Sequence, residues 1–206
     1  GKYIGWEDPR TWSIQSLRMR GISPEAIREF VREIGMNKQD VTVPIESLYA
    51  VNRRMIDAHA LRYFFVENGK KIKVKGKYGK TEVEIPVHPE KEETRKIKFG
   101  RDLYISADDF DKLSGKEIRL LHLYNIKLGE ESKITSLENK DIPKIQWVYN
   151  GLNVRVLMPN GMWAVGKAEK GISKIKKEEI VQFERFGFVK YDRQKDGFKE
   201  FWFAHK

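Results

Sequence analysis

The sequence contains no cysteine, which excludes disulfide bonds, thiol nucleophiles and zinc sites built from cysteine. It has no apolar run of the roughly 18 residues that a membrane helix needs. Its N-terminus also lacks the basic-then-apolar pattern of a signal peptide. We therefore expect a soluble cytoplasmic protein that has no membrane partner.

Catalytic signatures are missing as well. The chain lacks the GxGxxG, GxxxxGK[ST], HExxH and GxSxG patterns. Its histidines lack metal-ligand spacing and are interpreted as packed or surface residues; they are His59, His88, His122 and His205. We expect no catalytic residue and no metal ligand in this chain, and this favours a binding module.

What the sequence does have is positive charge and a core. A formal net charge of +10 and a pI near 9.6 favour a polyanionic partner, because each neutralised phosphate releases condensed counterions. Hydrophobic residues make up 40% of the chain and alternate with the charges, so we expect a folded protein rather than a disordered basic tail.

The first sixty residues contain residue types that typically begin and end helices. Asp8 and Pro9 predict a cap and first turn for one helix that stops at Gly21. A second helix is predicted from the Ser23 cap to Gly35, with an apolar face formed by Ile27, Phe30, Val31 and Ile34. A third is predicted over 44–57.

Two short helices joined through Gly21 also match a helix-turn-helix that binds DNA. Arginines on both helices support that alternative: Arg18, Arg20, Arg28 and Arg32. The apolar face of the second helix and the long β-rich region that follows argue against it.

After Arg62 the apolar period changes from helical to strand-like. Ten or more short β-prone runs follow, with one helical turn over 107–113 as the exception. This spacing predicts antiparallel barrels or sandwiches and argues against a parallel α/β sheet. The fold class is therefore mainly β after an N-terminal helical subdomain.

Several motifs occur in a fixed order along the chain. Residues 5–10 are GWEDPR, residues 13–22 are SIQSLRMRGI and residues 24–28 are PEAIR. Later segments complete the series: Asn52-Arg53 with Asp57, RYFFV at 62–66, His88-Pro89, GKEIRL at 115–120, IQWV at 145–148 and VQFERFGF at 181–188.

Together these motifs resemble the region that follows the catalytic domain in glutaminyl- and archaeal-type glutamyl-tRNA synthetases. The resemblance covers essentially the whole chain. It implies a helical subdomain at 1–60 that contacts the tRNA body. It also implies an anticodon-binding region at 61–206, made of two antiparallel β-barrels that are interleaved, with the middle of the segment forming the distal barrel.

The HIGH- and KMSKS-like signatures of that family's catalytic domain are absent from these 206 residues. The resemblance therefore implies that ATP binds to a catalytic domain present in cis or as a separate chain. This chain would hold no cofactor and would be inactive alone as a glutamate–tRNA ligase.

The RYFFV run and the compact linker over 128–144 resemble the archaeal glutamyl branch, which implies tRNA-Glu as the partner. The segment before Gly115 lacks the basic extension with which bacterial glutaminyl enzymes contact the last anticodon base. Recognition of tRNA-Gln is therefore left open. The C-terminal part of a glutaminyl-tRNA synthetase and a free-standing RNA-binding protein remain as alternatives.

Four residues match positions that contact the anticodon in the family. Arg62, Gln182 and Arg185 match readers of the middle base, a uracil, and Arg119 matches a contact near the first base. Uracil offers O2 and O4 as acceptors and N3–H as a donor, which suits guanidinium and amide groups. The alternative for Arg185 is a salt bridge within the barrel.

Lysine clusters supply candidate phosphate contacts at Lys71, Lys73, Lys174 and Lys176. The first two belong to a basic hairpin that reaches Lys77. Solvated surface faces are the alternative for both clusters. Arg18, Arg20 and Arg32 either touch the tRNA body or form surface ion pairs with neighbouring glutamates.

Overall fold

A computed structural model of the protein describes residues 3–35, 42–76 and 78–206. Four α-helices and one short 3-10 helix are present in those ranges. They are α1 (Ile14–Arg20), α2 (Pro24–Ile34), α3 (Ile45–Ile56), α4 (Ala107–Leu113) and the 3-10 helix Lys170–Lys174. None of these helices is long and apolar enough to span a membrane.

The helical turn over 107–113 is confirmed as α4, and the second helix is confirmed from cap to stop. The Ser23 hydroxyl accepts from the Ala26 amide, Pro24 occupies the first turn, and Gly35 ends α2. The third is confirmed as α3. Ala26 of α2 packs with Leu48 and Val51 of α3, while Val31 remains 59% exposed.

The predicted start of the first helix is wrong. The Asp8 carboxylate accepts from the backbone amides of Ile4 and Arg10 and from the Arg10 guanidinium, so it closes a turn instead of capping a helix. The helix begins five residues later, where Ser13 accepts from the Ser16 amide.

Most of the remaining chain forms strands. They are β1 (Arg62–Tyr63), β2 (Phe65–Glu67), β3 (Lys70–Lys75), β4 (Glu82–Pro86), β5 (Thr94–Lys98), β6 (Asp102–Ile105), β7 (Glu117–Leu120), β8 (Asn125–Lys127), β9 (Glu131–Ser136), β10 (Lys144–Ile145), β11 (Leu152–Leu157), β12 (Trp163–Ala168), β13 (Ile180–Phe183), β14 (Gly187–Lys195) and β15 (Phe198–His205). The mainly β prediction is confirmed.

Seven strands form the first barrel, in the order β1-β13-β14-β15-β11-β12-β2. Its edge strands β1 and β2 are separated in sequence only by Phe64, so the curled sheet brings its two edges together. Alternate residues point inward and build an aromatic core that includes Phe65, Phe183 and Phe201.

Six strands form the second barrel, in the order β10-β7-β8-β9-β3-β6. Tyr104 on the edge strand β6 exchanges two backbone hydrogen bonds of 2.8 Å with Val148, close to β10 at the opposite edge. This bridge links the two edges around a core that contains Ile118 and Trp147. Strands β4 and β5 form a separate hairpin.

Most strand pairs are antiparallel, as the sequence pattern predicts, but each barrel also contains parallel pairs. In the first barrel β1 pairs with β13 and β11 with β15; in the second β3 pairs with β9 and β7 with β10. These strands lie far apart in sequence, and an alternating apolar pattern is the same for both directions of pairing.

The helical segment is fixed to the first barrel by buried polar contacts. The Arg20 guanidinium, 1% exposed, donates to the carbonyls of Phe203 and Ala204 at 3.1 and 2.8 Å. Lys190 Nζ donates to the Arg18 carbonyl at 2.8 Å. Neither interpretation of Arg20, as a tRNA contact or as a surface ion pair, is therefore correct.

Gly21 is needed where α1 meets this barrel. Its φ of 92° is left-handed, and an added Cβ would stand 3.2 Å from Ile180 and 3.3 Å from Lys190. Arg32 does form the expected surface pair, with Glu29 at 3.4 Å.

Candidate nucleic-acid interface

Arg62 and Gln182 are brought together by strand pairing. They are direct partners in the parallel register between β1 and β13, although 120 positions separate them in the chain. Nε of Arg62 and Oε1 of Gln182 are both buried without a hydrogen-bond partner among the described residues. A donor and an acceptor therefore stand side by side unsatisfied, which is costly unless a ligand completes them.

Arg62 forms an ion pair with Asp57. Its Nη2 lies 3.6 Å from Oδ1 of Asp57, the residue that ends α3, and its side chain is 27% exposed. This contact is too long for a hydrogen bond, so the guanidinium is oriented by charge, and its buried Nε has no acceptor among the described residues.

Arg185 stands at the turn between β13 and β14 with a left-handed φ of 60°. Its two terminal nitrogens each donate to an oxygen of Asp109 on α4, both at 2.9 Å. The salt bridge that the sequence offered as the alternative is thus present, and its acid comes from the second barrel's side. The arginine side chain is still 50% exposed.

A buried charge cluster lies next to these residues. Arg95 of β5 donates to both oxygens of Glu169, at 2.8 and 3.2 Å, and to Glu184 at 3.5 Å. Burial raises the pKa of both glutamates; the Arg95 guanidinium opposes that rise in each, and Arg62 adds a smaller opposing effect at Glu184. Two carboxylates share one cation, so this cluster favours further positive charge nearby, such as Arg62.

A small cleft of about 160 Å³ separates the two barrels at Arg185. Asp109, Glu184 and Gln146 line it together with Phe186. The Gln146 oxygen accepts from the Phe65 amide at 3.3 Å, but its Nε2 is buried with no partner among the described residues. The cleft therefore offers an unused amide donor beside a carboxylate and a guanidinium.

A wider cleft of about 770 Å³ lies between the first barrel and the β4-β5 hairpin. Tyr149 and the carboxylates of Glu93 and Glu169 line it as well, but its cationic lining is larger. These cations are Arg62, Arg95, Lys96, Lys98, Lys170 and Lys174. The cleft suits a negatively charged chain, and Lys174 is the one predicted phosphate contact that it contains.

Arg119 does not lie with the other three predicted anticodon residues. Its Nη1 donates to Asn125 Oδ1 and to the carbonyls of Leu137 and Glu138, and its Nη2 donates to the Leu123 carbonyl, all between 2.9 and 3.2 Å. These bonds connect the turns of the second barrel, so Arg119 has a structural role.

The other predicted phosphate contacts lie on solvated faces. Lys71 Nζ is 3.2 Å from Asp102, and Lys73 is exposed beside it on β3. Lys176 is exposed outside both clefts, and Lys77 lies outside the described residues. The alternation of these lysines with buried Ile72 and Val74 follows from the strand period.

Four residues of the site had no role assigned from the sequence: Arg95, Asp109, Gln146 and Glu169. Gln146 is part of the IQWV motif, which was the one available signal. The Arg185–Asp109 and Arg95–Glu169 pairs join residues 76 and 74 positions apart, and no local pattern reports such a pairing.

The fold and these clefts define a binding module made of two barrels with a basic, partly unsatisfied surface between them. Two family profiles match the chain, both described as the anticodon-binding domain of class I tRNA synthetases (E and Q). One covers residues 60–150 and the other residues 133–192. Together they cover most of the chain, which belongs to this anticodon-binding family.

Curated relatives extend the match over the helical segment. A glutamate–tRNA ligase of Pyrococcus abyssi is 41% identical over 94% of the chain. Those of Pyrococcus furiosus and Methanocaldococcus jannaschii are 39% and 38% identical over 100% and 96% of it. The chain spans 37 to 39% of the length of these relatives. The DNA-binding alternative is replaced by this family.

Proposed function

We propose that this chain is the anticodon-reading part of an archaeal-type glutamate–tRNA ligase and that it binds tRNA-Glu. ATP and glutamate are held by a catalytic domain, in cis or as a separate chain. Helices α1 to α3 contact the tRNA body, and the region 61–206 grips the anticodon.

The observation that supports this proposal most is the pair of unsatisfied groups on β1 and β13. Nε of Arg62 is a donor and Oε1 of Gln182 an acceptor; both are buried in the unbound chain, so the two side chains turn toward the carbonyl oxygen and N3–H of the middle uracil when it binds. An unpaired base in a loop exposes this edge, which a base inside a duplex does not.

Arg185 is the third residue that contacts the uracil, and it does so while keeping its salt bridge to Asp109. Its terminal nitrogens are used by the carboxylate, whereas Nε and one outward N–H form a second edge that is free for a uracil oxygen. We assign Asp109 as a positioning residue that fixes this edge. Lys174 faces the wide cleft as a phosphate contact, and Lys71, Lys73 and Lys176 add attraction without base preference.

Two alanine variants test the assignment, Arg185→Ala and Lys73→Ala. Each is titrated with tRNA-Glu and with the same tRNA carrying cytosine at the middle anticodon position. Arg185→Ala should cost about 1–3 kcal/mol for the native tRNA and remove the preference for uracil, because a base-edge contact is lost. Lys73→Ala should weaken both tRNAs equally.

Equal loss for both tRNAs in Arg185→Ala would show that this residue binds phosphate or supports the fold. Thermal melting of both variants serves as the folding control. Lys73→Ala should melt close to the native protein because its side chain is exposed, whereas Arg185→Ala should melt slightly lower because Asp109 loses its guanidinium partner.

A further inference from the structure

A lysine is buried at one end of the first barrel. Lys199 of β15 is 8% exposed and lies on the same side of its strand as Phe201 and Phe203, which belong to the barrel core. Its Nζ stands 4.1 Å from the centroid of the Tyr191 ring. Lysine is rarely buried to this extent unless an acid is paired with it.

No acid is paired with Lys199 in the described part of the chain: the ring of Tyr191 is the partner that its ammonium has. Burial lowers the pKa of Lys199, and no carboxylate offsets that effect. The stem of this lysine is covered by the barrel end, while its ammonium keeps some contact with solvent and lies against the Tyr191 ring. The site therefore holds a cation that no anion in the described part of the chain neutralises.

The ammonium opens onto a cavity of about 440 Å³ whose other polar side chains are Asn153, Ser173, Gln194 and Tyr191. No residue that lines this cavity is acidic. Lys167 Nζ donates to the Asn153 oxygen at 2.8 Å, which places a second cation at the rim. Two hydroxyls, two amides and an ammonium are suitable donors for a tetrahedral oxyanion.

We propose that this cavity is a phosphate-binding site in which Lys199 carries the compensating charge. A phosphate group is favoured over other anions because the chain as a whole has a charge of +10 and belongs to a family that binds RNA. The group is either a phosphodiester of bound RNA or a free phosphate. The site is separate from the clefts at Arg62 and Arg185 and does not depend on base reading there.

The alternative is that Lys199 covers the core with its stem and extends its head to water without a ligand. The substitution Lys199→Gln separates the two, with Lys195→Gln as the matched control. Lys195 is exposed on the adjoining strand, so the control removes the same charge without touching the cavity. Lys199→Met serves as a second variant that keeps the buried stem.

The first experiment measures melting temperature in millimolar inorganic phosphate against chloride of equal ionic strength. Phosphate at about four times its dissociation constant should raise the midpoint of the native protein and of Lys195→Gln by about 2–4 °C. Neither Lys199 variant should show this rise. The low concentration avoids the general stabilisation that phosphate gives by exclusion from protein surfaces.

The second experiment measures tRNA affinity against salt concentration. Loss of a phosphate contact should reduce the slope of log affinity against log salt by about one in both Lys199 variants and leave it unchanged in Lys195→Gln. An effect in melting assigns the site to free phosphate, and an effect in the slope assigns it to the RNA backbone.

The proposal is overturned if neither measurement distinguishes Lys199 from Lys195. The preference for uracil at the middle anticodon position should remain in both Lys199 variants, so failure here is distinguishable from failure of the anticodon assignment.

Discussion

Arg119 and Arg185 carry the same guanidinium but hold it in opposite ways. The terminal nitrogens of Arg119 donate to four acceptors of its own barrel, whereas Arg185 bonds only Asp109 among the residues that the structure describes and remains half exposed. A fully bonded arginine offers few donors to a ligand without breaking the fold. The sequence prediction that Arg119 contacts the anticodon stays a prediction, and the geometry assigns it a supporting role first.

Asp109 sets the direction of the Arg185 guanidinium, and Asp109→Asn should weaken that control. We expect the ratio of affinities for uracil and cytosine tRNAs to fall by a smaller factor than in Arg185→Ala. Affinity for the cytosine tRNA should not fall, because a negative charge is removed near RNA. Titration of both tRNAs measures the ratio.

Asp108→Asn is the control for this prediction. Asp108 is the neighbour of Asp109 and pairs with Lys112 at 2.7 Å, so its substitution changes the charge equally without contact to Arg185. If both variants change the ratio to the same extent, charge rather than orientation explains the effect.

Among the elements, α2 and α1 differ in how far local sequence determines them. Ser23, Pro24 and Gly35 are sufficient to bound α2, because a cap, a first-turn proline and a glycine with positive φ each act on the adjoining turn of the helix. Asp8 has the residue type of a cap, but its carboxylate is taken by Ile4 and Arg10. Residue type alone therefore does not predict a helix cap when other nearby donors bond the capping side chain.

Strand pairing is less predictable from the sequence than the helix boundaries are. Apolar alternation predicts the strands, but it cannot predict that Arg62 pairs with Gln182 across a parallel register. The resemblance placed both residues at the same base, and only the fold shows that their side chains are neighbours with unsatisfied atoms. The division into 1–60 and 61–206 remains a prediction.

Arg20 makes the joint between α1 and the first barrel. Arg20→Ala would remove two hydrogen bonds from a charged donor to the carbonyls of Phe203 and Ala204, at about 1.5–3 kcal/mol each. We expect a clear decrease in the urea midpoint. Arg18→Ala removes an exposed arginine from the same helix and should change stability by less than about 0.5 kcal/mol. Similar midpoints for the two variants would contradict this role.

His205 makes the same joint sensitive to pH. Asn52 Nδ2, which can only donate, lies 2.9 Å from its Nε2, and the Lys206 carbonyl, which can only accept, lies 3.0 Å from its Nδ1. The ring is therefore neutral with its proton on Nδ1. Asn52 is fixed in this orientation because its oxygen accepts from the Ser23 amide.

Burial lowers the pKa of His205 below its ordinary value of 6.5. As the pH falls below 6.5, the unfolded chain takes up a proton that the folded chain does not, so stability decreases by at most about 1.4 kcal/mol per pH unit. Urea unfolding between pH 8 and pH 5 should show a shallower decrease in His205→Gln. The exposed His59→Gln is the control, and an equal slope in all three proteins would exclude His205 as the cause.

At the scale of the whole molecule, the two barrels are formed by different segments of the chain. The first barrel draws strands from both ends of the region after Arg62, and the second is built from the residues between them. Base-reading candidates, the charge cluster and both clefts lie where the barrels and the β4-β5 hairpin meet. Lysines spread over the remaining surface add a field that is independent of the bases.

Affinity for tRNA should therefore separate into two independent parts. Plotted as log affinity against log salt, the data for tRNA-Glu should fall on a steep line, because phosphate contacts by a chain of charge +10 release counterions. A tRNA with an unrelated anticodon should give a parallel line displaced to weaker binding, since base-edge hydrogen bonds release few ions.

The displacement between the two lines measures the base-reading groups, and the common slope measures the lysines. Arg185→Ala should bring the lines closer together, whereas Lys174→Ala should lower both slopes by about one. A flat line for either tRNA would show that the basic clefts do not contact phosphate. Lines of different slope would show that the anticodon also decides how much of the backbone is contacted, and the separation into two independent parts would then be wrong.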